Sequence, residues 1–331
     1  MAFRIAVLGA GAVGARVVRQ LASTPEVHRL AVADLDRGRA DAVVRAIGEP
    51  GRVRAADVAD RWWAGADVAV IATPAGHHHA PVERLLEDGV NVVSTSDDVD
   101  DVRHLLALDP EARERGVTVA VGAAFAPGLT CVLAAHAAAS FDVVDEIHVA
   151  KVGTGGPACA SAHHRGLAGE AIDWREGAWV RRRGGSGREL CWFPDPIGAE
   201  DCYRAAAPDA LVLVPAFPGV ARVTARVGAN RRDRLTAHLP MLRRPHPEGG
   251  PGAVRVEVRG MRGSGSDVRV LGAMDRPALA AGAVAALAAT VLAGGGAART
   301  GAGGLAALVA PVPFLAELSR RGVKAAVFEG A

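Results

Sequence analysis

The chain has 331 residues, half of them hydrophobic and 22% charged, and its 38 basic against 36 acidic side chains leave a formal charge of +2. This composition excludes wholesale disorder, and the length predicts two domains or one large one. All the basic residues but Lys151 and Lys324 are arginine, yet they form no stripe of the kind that nucleic acid requires.

From the N-terminus to about residue 120, short apolar runs alternate with amphipathic stretches. Strands are predicted at Phe3–Leu8, Arg29–Ala33, Val68–Ala72, Val90–Ser94 and Val117–Val121, and helices at Ala12–Ala22, Arg37–Ile47, Ala80–Asp88 and Val99–Glu114. Repeated βα units of this kind build an α/β fold with a doubly wound parallel sheet. Beyond about residue 125 the rhythm changes, with strands predicted at Val143–Lys151, Ala178–Arg183, Glu189–Phe193, Ala210–Val214, Arg222–Val227, Val254–Arg259 and Asp267–Ala273. The last two alternate cleanly and are joined by MRGSGS, a glycine-rich hairpin connection, so this part reads as α+β with an antiparallel sheet. Pro240–Pro251 is a loop. Pro277–Ala298 carries no charge over 22 residues, the length of a membrane span, but it is mostly Ala and Gly. Its few larger apolar residues fall near one helical face, so a buried, tightly packed helix is expected, with the rest of the tail helical too.

Four cysteines (Cys131, Cys159, Cys191, Cys202) offer neither a disulfide scaffold nor a CxxC zinc pattern, so reduced thiols in a cytoplasmic compartment are expected. Arg4 precedes an apolar run much as in a signal peptide. The run dissolves into glycines at the spacing of a nucleotide-binding turn, and targeting is rejected.

That turn is Gly9-Ala10-Gly11-Ala12-Val13-Gly14, a GxGxxG between the first predicted strand and the first predicted helix. The first glycine permits a tight turn, the second lets the backbone approach a diphosphate, and the third allows close helix–strand packing. Free N–H groups and the helix dipole then favour the anion. Asp34, 20 residues after Gly14, ends the second strand, with Leu35 and Asp36 beside it. A carboxylate there accepts ribose hydroxyls and repels a 2′-phosphate, which favours NAD, while Arg37 and Arg39 keep NADP as the alternative. Ligands bind at the carboxyl ends of parallel strands. Thr73, Pro74 and His77 after one strand, Ser94-Thr95-Ser96 after the next, and Phe125 after the last are therefore expected to complete the cofactor site. Ser96 or Asp97 would also cap the helix that follows.

With this turn, GVNVVSTSDD, GVTVAVGAAFAPGLTCVLAAHAA and FLAELSRRGVKAAVFEG, the chain resembles the saccharopine reductase-like family, which includes lysine 6-dehydrogenase and carboxynorspermidine-synthase-like enzymes. Pro127 and Gly128 match the family's PG ahead of a helix, whereas Cys131 stands where the family often has a small or amide residue. The resemblance covers residues 1–150 and the final 55. It implies a Rossmann domain (1–125) completed by C-terminal helices (275–331), and an inserted α+β domain (126–274) for substrate binding and dimerisation. It also implies a homodimer, and hydride chemistry at the C–N bond of an amino acid or imine. The Gfo/Idh/MocA sugar dehydrogenases share the pattern TPAGHHHAPVERLLEDGVNVV but then carry a catalytic lysine in Glu-Lys-Pro, where this chain reads Ser94-Thr95-Ser96.

Hydride transfer asks the protein to orient substrate, move one proton and bind carboxylates. His163 and His164 follow the glycine-rich stretch KVGTGGPACASA and suit the proton step; on a solvated face they would be helix-start histidines. Lys151, ending a predicted strand, could hold a carboxylate or act as a base, or simply lie exposed. Asp97 could bind a substrate amine if it does not serve as the cap. His77-His78-His79 invites a metal, but adjacent residues rarely aim their rings at one ion, so no metal is expected and His77 or His78 is placed near the cofactor. Trp62 and Trp63 are expected to pack. The resulting expectation is an NAD(P)-dependent oxidoreductase of an amino acid or imine, with no nucleic-acid or membrane partner. Oxidation of a hydroxyl and a non-catalytic NAD-binding sensor are the alternatives.

Overall fold

The computed structural model describes residues 2–241, 245–323 and 325–328. Its first part runs β1 (Phe3–Leu8), α1 (Ala12–Ala22), β2 (Val27–Ala33), α2 (Arg37–Ile47), β3 (Val53–Ala56), β4 (Val68–Ile71), α3 (His79–Glu87), β5 (Asn91–Ser94), α4 (Val99–Ala107), α5 (Asp109–Glu114) and β6 (Thr118–Ala120). There follow α6 (Leu129–Ala138), β7 (Val143–Val152), α7 (Pro157–Gly166), β8 (Glu170–Arg175), β9 (Ala178–Arg183), β10 (Glu189–Trp192), β11 (Ala199–Tyr203), α8 (Asp209–Leu213), β12 (Arg222–Gly228), α9 (Arg231–Thr236), β13 (Gly252–Arg262) and β14 (Gly265–Asp275). The tail forms α10 (Pro277–Ala293), β15 (Gly301–Gly303), α11 (Leu305–Leu308), α12 (Pro311–Arg320) and β16 (Ala325–Phe328).

Two sheets organise the chain. The first is parallel throughout, in the order β15-β6-β5-β4-β1-β2-β3. Its strand order reverses between β1 and β4, which opens a crevice at their carboxyl ends. The second is a nine-stranded sheet on the path β10-β11-β12-β7-β13-β14-β16, with β8 beside β12 and β9 beside β8. It is mixed where an antiparallel sheet was expected, because β12 lies parallel to β7 while β13 flanks β7 antiparallel.

Several elements differ from the sequence expectation for identifiable reasons. Ala210–Val214, expected as a strand, is helical: a short apolar run reads the same for a strand and a buried helix, and all of α8 is buried. The stretch Val99–Glu114 breaks at Leu108 because Pro110, in the first turn of α5, has no N–H to continue a helix. The strands β3, β8 and β11 were not expected; their charged residues dilute the apolar signal. The tail is not wholly helical, since β15 extends the parallel sheet beyond β6 and β16 pairs with β14. Strand β15 reads Gly-Ala-Gly and has no β-forming side chain to announce it. The loop expected at Pro240–Pro251 lies partly outside the described residues.

The uncharged segment forms α10, buried along most of its length and packed against α1. Small residues make this seam possible: a Cβ added at Gly282 would fall 2.4 Å from the Arg16 Cβ and 3.0 Å from its carbonyl carbon. No helix among the described residues is long and apolar enough to cross a membrane. Trp62 and Trp63 are buried, edge to face. We predict that Gly282→Val overpacks the seam and costs about 1–3 kcal/mol. Urea unfolding would measure this, and an unchanged midpoint would contradict the close α1–α10 contact.

Candidate active site

The glycine turn occupies the crevice between β1 and β4. Gly9 has φ +102°, and a Cβ there would lie 2.5 Å from the Ala72 carbonyl oxygen; one on Gly14 would lie 1.8 Å from that of Gly9. Gly11, the N-cap of α1, has open space where its side chain would be. No side chain caps α1 and no acid sits in its first turn, so its opening N–H groups are left for another acceptor. Asp34 reaches the same turn: Oδ2 accepts from the Ala10 N–H at 2.7 Å and Oδ1 from the Asp36 N–H at 2.8 Å. A carboxylate has about four acceptor positions, so further donors fit. Asp36 caps α2 through the Gly38 N–H and pairs with Arg39, and Arg37 pairs with Asp41. Leu35 is 93% exposed on the rim.

The loops after β4 and β5 are fastened to each other. His78, fully buried, faces the Thr73 carbonyl through Nε2 at 3.0 Å, so that nitrogen carries the proton, and Nδ1 accepts from the Ser94 hydroxyl at 2.9 Å. Burial lowers its pKa, keeping the ring neutral. Thr73 donates to the His77 carbonyl and Thr95 to that of Ile71, while His77 and Pro74 are exposed. Buried Asp101 joins both loops, accepting from the Gly76 N–H at 2.8 Å and the Ser96 hydroxyl at 2.7 Å. His79 lies 2.9 Å from its other oxygen, near enough for charge pairing but misaligned for a hydrogen bond. Among the described residues no group of three or more His, Cys, Asp or Glu side chains is placed to hold a metal.

The cap of α4 is Asp98, which accepts from the N–H groups of Asp100 and Asp101, and not Ser96 or Asp97. Asp97 is thereby released toward the second sheet. Its Oδ2 lies 3.4 Å from Lys151 Nζ, which also donates to the Ala126 carbonyl at 3.3 Å. Lys151 is 9% exposed at the end of β7, so the exposed alternative does not apply. Its burial disfavours the charge, but Asp97, Cys159 and Asp209 more than offset this and hold its pKa above the ordinary lysine value. Phe125 is buried in the neighbouring loop after β6.

His163 completes the group, although it stands in the last turn of α7 rather than at a helix start. Its Nε2 donates to the Gly228 carbonyl at 3.1 Å, which leaves Nδ1 unprotonated, shielded from solvent and without a partner. Burial, and then the Lys151 charge, push its pKa down to about 4. His164 is buried beside it but directs Nε2 to the Thr236 carbonyl. Asp97, Lys151 and His163 line one cavity of about 170 Å³, floored by Ala205–Ala207 and Val227 and edged by the exposed Arg165. The sequence reading did not single out Arg165 or Asp209. Asp209 is buried within electrostatic reach of Lys151 and accepts from the Thr130 hydroxyl at 2.8 Å; burial raises its pKa against the opposing pull of Lys151. The only sequence signal for Asp209 was an acid heading an apolar run.

Residues 4–123 match the family model described as semialdehyde dehydrogenase, NAD binding domain. Among solved structures, the chain is similar to apo saccharopine dehydrogenase (L-Glu forming) from Saccharomyces cerevisiae, with 15% identity, coverage of 98% of this chain and 100% of that one, and a TM-score of 0.72. It is also similar to the amine dehydrogenase of Mycobacterium smegmatis (14%, 93% and 96%, TM-score 0.55) and to C. glutamicum DAP dehydrogenase in complex with DAP (17%, 94% and 95%, TM-score 0.52). The fold is thus a Rossmann domain of the NAD-binding kind, joined to a mixed-sheet region in the arrangement of the saccharopine dehydrogenase fold. This agrees with the resemblance drawn from the sequence.

Asp101→Ala would leave the Gly76 N–H and the Ser96 hydroxyl without their buried acceptor. A loss of about 2–5 kcal/mol is expected, read from denaturant melts. A loss under about 0.5 kcal/mol, as for an ordinary surface site, would show that the loops do not depend on it.

Proposed function

We propose that this chain is an NAD(P)-dependent oxidoreductase acting at the C–N bond of an amino acid or imino acid. The observation that carries this is the convergence of Asp97, Lys151 and His163 on one cavity beside the carboxyl ends of the parallel strands. The names of the similar structures, which include amine and amino-acid dehydrogenases, support the same class of substrate.

A dinucleotide fits the residues at the turn. The uncapped amides of α1 would hold its diphosphate and Asp34 a ribose, with Thr73, Pro74, His77, Ser94, Thr95, Ser96 and Phe125 on the nearby loops. Once bound, NAD(P) supplies the hydride acceptor. The rest falls to side chains. Asp97 offers a carboxylate to the substrate ammonium, and Arg165 at the mouth offers a guanidinium to the substrate carboxylate. An ammonium cannot release hydride until it loses a proton, and in this reading the unpartnered Nδ1 of His163 takes it. The neutral amine then gives up hydride from its carbon, leaving an iminium that water hydrolyses. Lys151, kept protonated, fixes Asp97 and screens its charge. A homodimer belongs to this reading through the family resemblance, and a cytoplasmic setting through the cysteine pattern.

The decisive experiment is to screen amino acids and polyols with NAD and NADP, following the reduced nicotinamide. Turnover on polyols alone, or cofactor binding with no turnover on either class, would overturn the proposal. His163→Asn is expected to lower kcat by roughly 10²–10⁴, Lys151→Met to lower kcat by releasing Asp97, and Asp34→Ala to raise KM for NAD far more than for NADP. Because His163 takes up a proton only near pH 4 in the free protein, the acid limb of kcat/KM should fall near that pH. An acid limb at the ordinary histidine value of about 6.5 would exclude a buried, neutral His163 as the base.

A further inference from the structure

At the opposite end of the parallel sheet lies a second cavity of about 300 Å³. It exists because the connection from β3 to β4, residues 57–67, crosses β2 and β1 as turns with no helix. The side chains beneath that connection are small: Ala6 and Ala31 on the strands, and Ala64, Gly65 and Ala66 on the connection. Buried Trp62 closes one wall.

The polar lining is basic: Arg4, Arg29, Arg52 and Arg54. Parallel register sets Arg4 beside Arg29 and Arg54 beside Ala31, so three of these side chains leave one face of neighbouring strands. Two of the four are neutralised, Arg4 by Asp67 at 2.6 Å and Arg52 by Glu49 at 3.0 Å. Arg29 and Arg54 have no ion-pair or hydrogen-bond partner among the described residues, and together they leave the cavity two positive charges in excess. Most arginines elsewhere on the surface stand within reach of an acid, as Arg61 does with Asp88 and Arg181 with Glu170. Like charges held on adjacent strands cost stability unless a counter-ion joins them.

We propose that this cavity binds a small multivalent oxyanion, a phosphate ester or a di- or tricarboxylate, through the paired guanidinium forks of Arg29 and Arg54. It lies about four residues, or roughly 13 Å, down β1 from the glycine turn, so it is separate from the dinucleotide site and independent of the reaction proposed above. A ligand here would bear on the same two strands that carry Gly9 and Asp34.

Isothermal titration of the full chain with inorganic pyrophosphate and with citrate, at low ionic strength, tests this. The parent is compared with R29S/R54S and with R182S/R183S, which removes the same charge from an exposed strand. Arg29 and Arg54 make no ion pair or side-chain hydrogen bond among the described residues, so the first variant should melt at or slightly above the parent, relieved of their repulsion. The expected result is saturable binding of at least one anion, weakened about tenfold or more in R29S/R54S and less than about twofold in R182S/R183S. Loss with pyrophosphate alone identifies a phosphate ester, and loss with citrate alone a carboxylate. The proposal is overturned if neither anion binds, if R29S/R54S keeps the parent's affinity, or if both variants weaken alike, since that is general charge attraction. Heat that survives in R29S/R54S at reduced stoichiometry marks a second anion site, such as the amides opening α1, and still supports the first.

Discussion

The contact on which the site depends is the partly buried ion pair between Lys151 and Asp97. An ammonium taken out of water is costly unless it is paired and hydrogen-bonded, and Lys151 has both an acid and the Ala126 carbonyl within 3.4 Å. The two partners belong to different sheets: Asp97 follows β5 of the parallel sheet and Lys151 ends β7 of the mixed one. Their pairing therefore sets how closely the loops of one sheet approach the strand ends of the other, and a cavity forms in between. Everything around it serves to hold Asp97 in place. Asp98 takes over the cap, Asp101 ties Ser96 to Gly76, and His78 ties Ser94 to Thr73. These polar groups spend their hydrogen bonds on one another, and the position of Asp97 at the cavity is fixed as a result.

A second convergence reinforces the first. Gly156, the N-cap of α7, approaches the opening of α1 so closely that a Cβ there would lie 2.9 Å from that of Ala12. The stretch Gly153–Gly156 follows directly from β7, so the strand that presents Lys151 also delivers the helix that presents His163. One run of chain thus supplies two members of the site and brings them against the nucleotide turn.

Much of this was legible in the sequence where a local rule forces the outcome. The limits of β1, α1, α2 and β9 agree with the residue pattern, because apolar periodicity and flanking glycines determine them locally. Asp97, Lys151 and His163 were each picked out by residue type at a predicted strand end or after a glycine-rich stretch. What the sequence could not supply was their meeting, which depends on how two sheets pack. Nor did it find Asp98 as the helix cap, naming Ser96 or Asp97 instead, since neighbouring polar residues compete for one role and backbone geometry decides among them. The helix at Asp209–Leu213 and the strand at Gly301–Gly303 were misread for the opposite reason: their local signals are weak or ambiguous, and tertiary context overrides them. The basic cavity was hidden because an arginine-rich composition makes any single guanidinium unremarkable until its neighbours are known.

The last strand of the parallel sheet has a bearing on how this molecule reaches its native state. Gly301–Gly303 aligns with Thr118–Ala120, and the Thr118 hydroxyl donates to the Arg299 carbonyl across 181 residues of chain. Helix α10 likewise returns to cover α1. The parallel sheet that opens with β1 is therefore not complete until the chain has passed residue 303. A long-range closure of this sort carries a large loop-entropy cost before it yields contact energy, which slows assembly. In the interval, the bare edge of β6 and the uncovered flank of α1 would be surfaces for chaperones to shield.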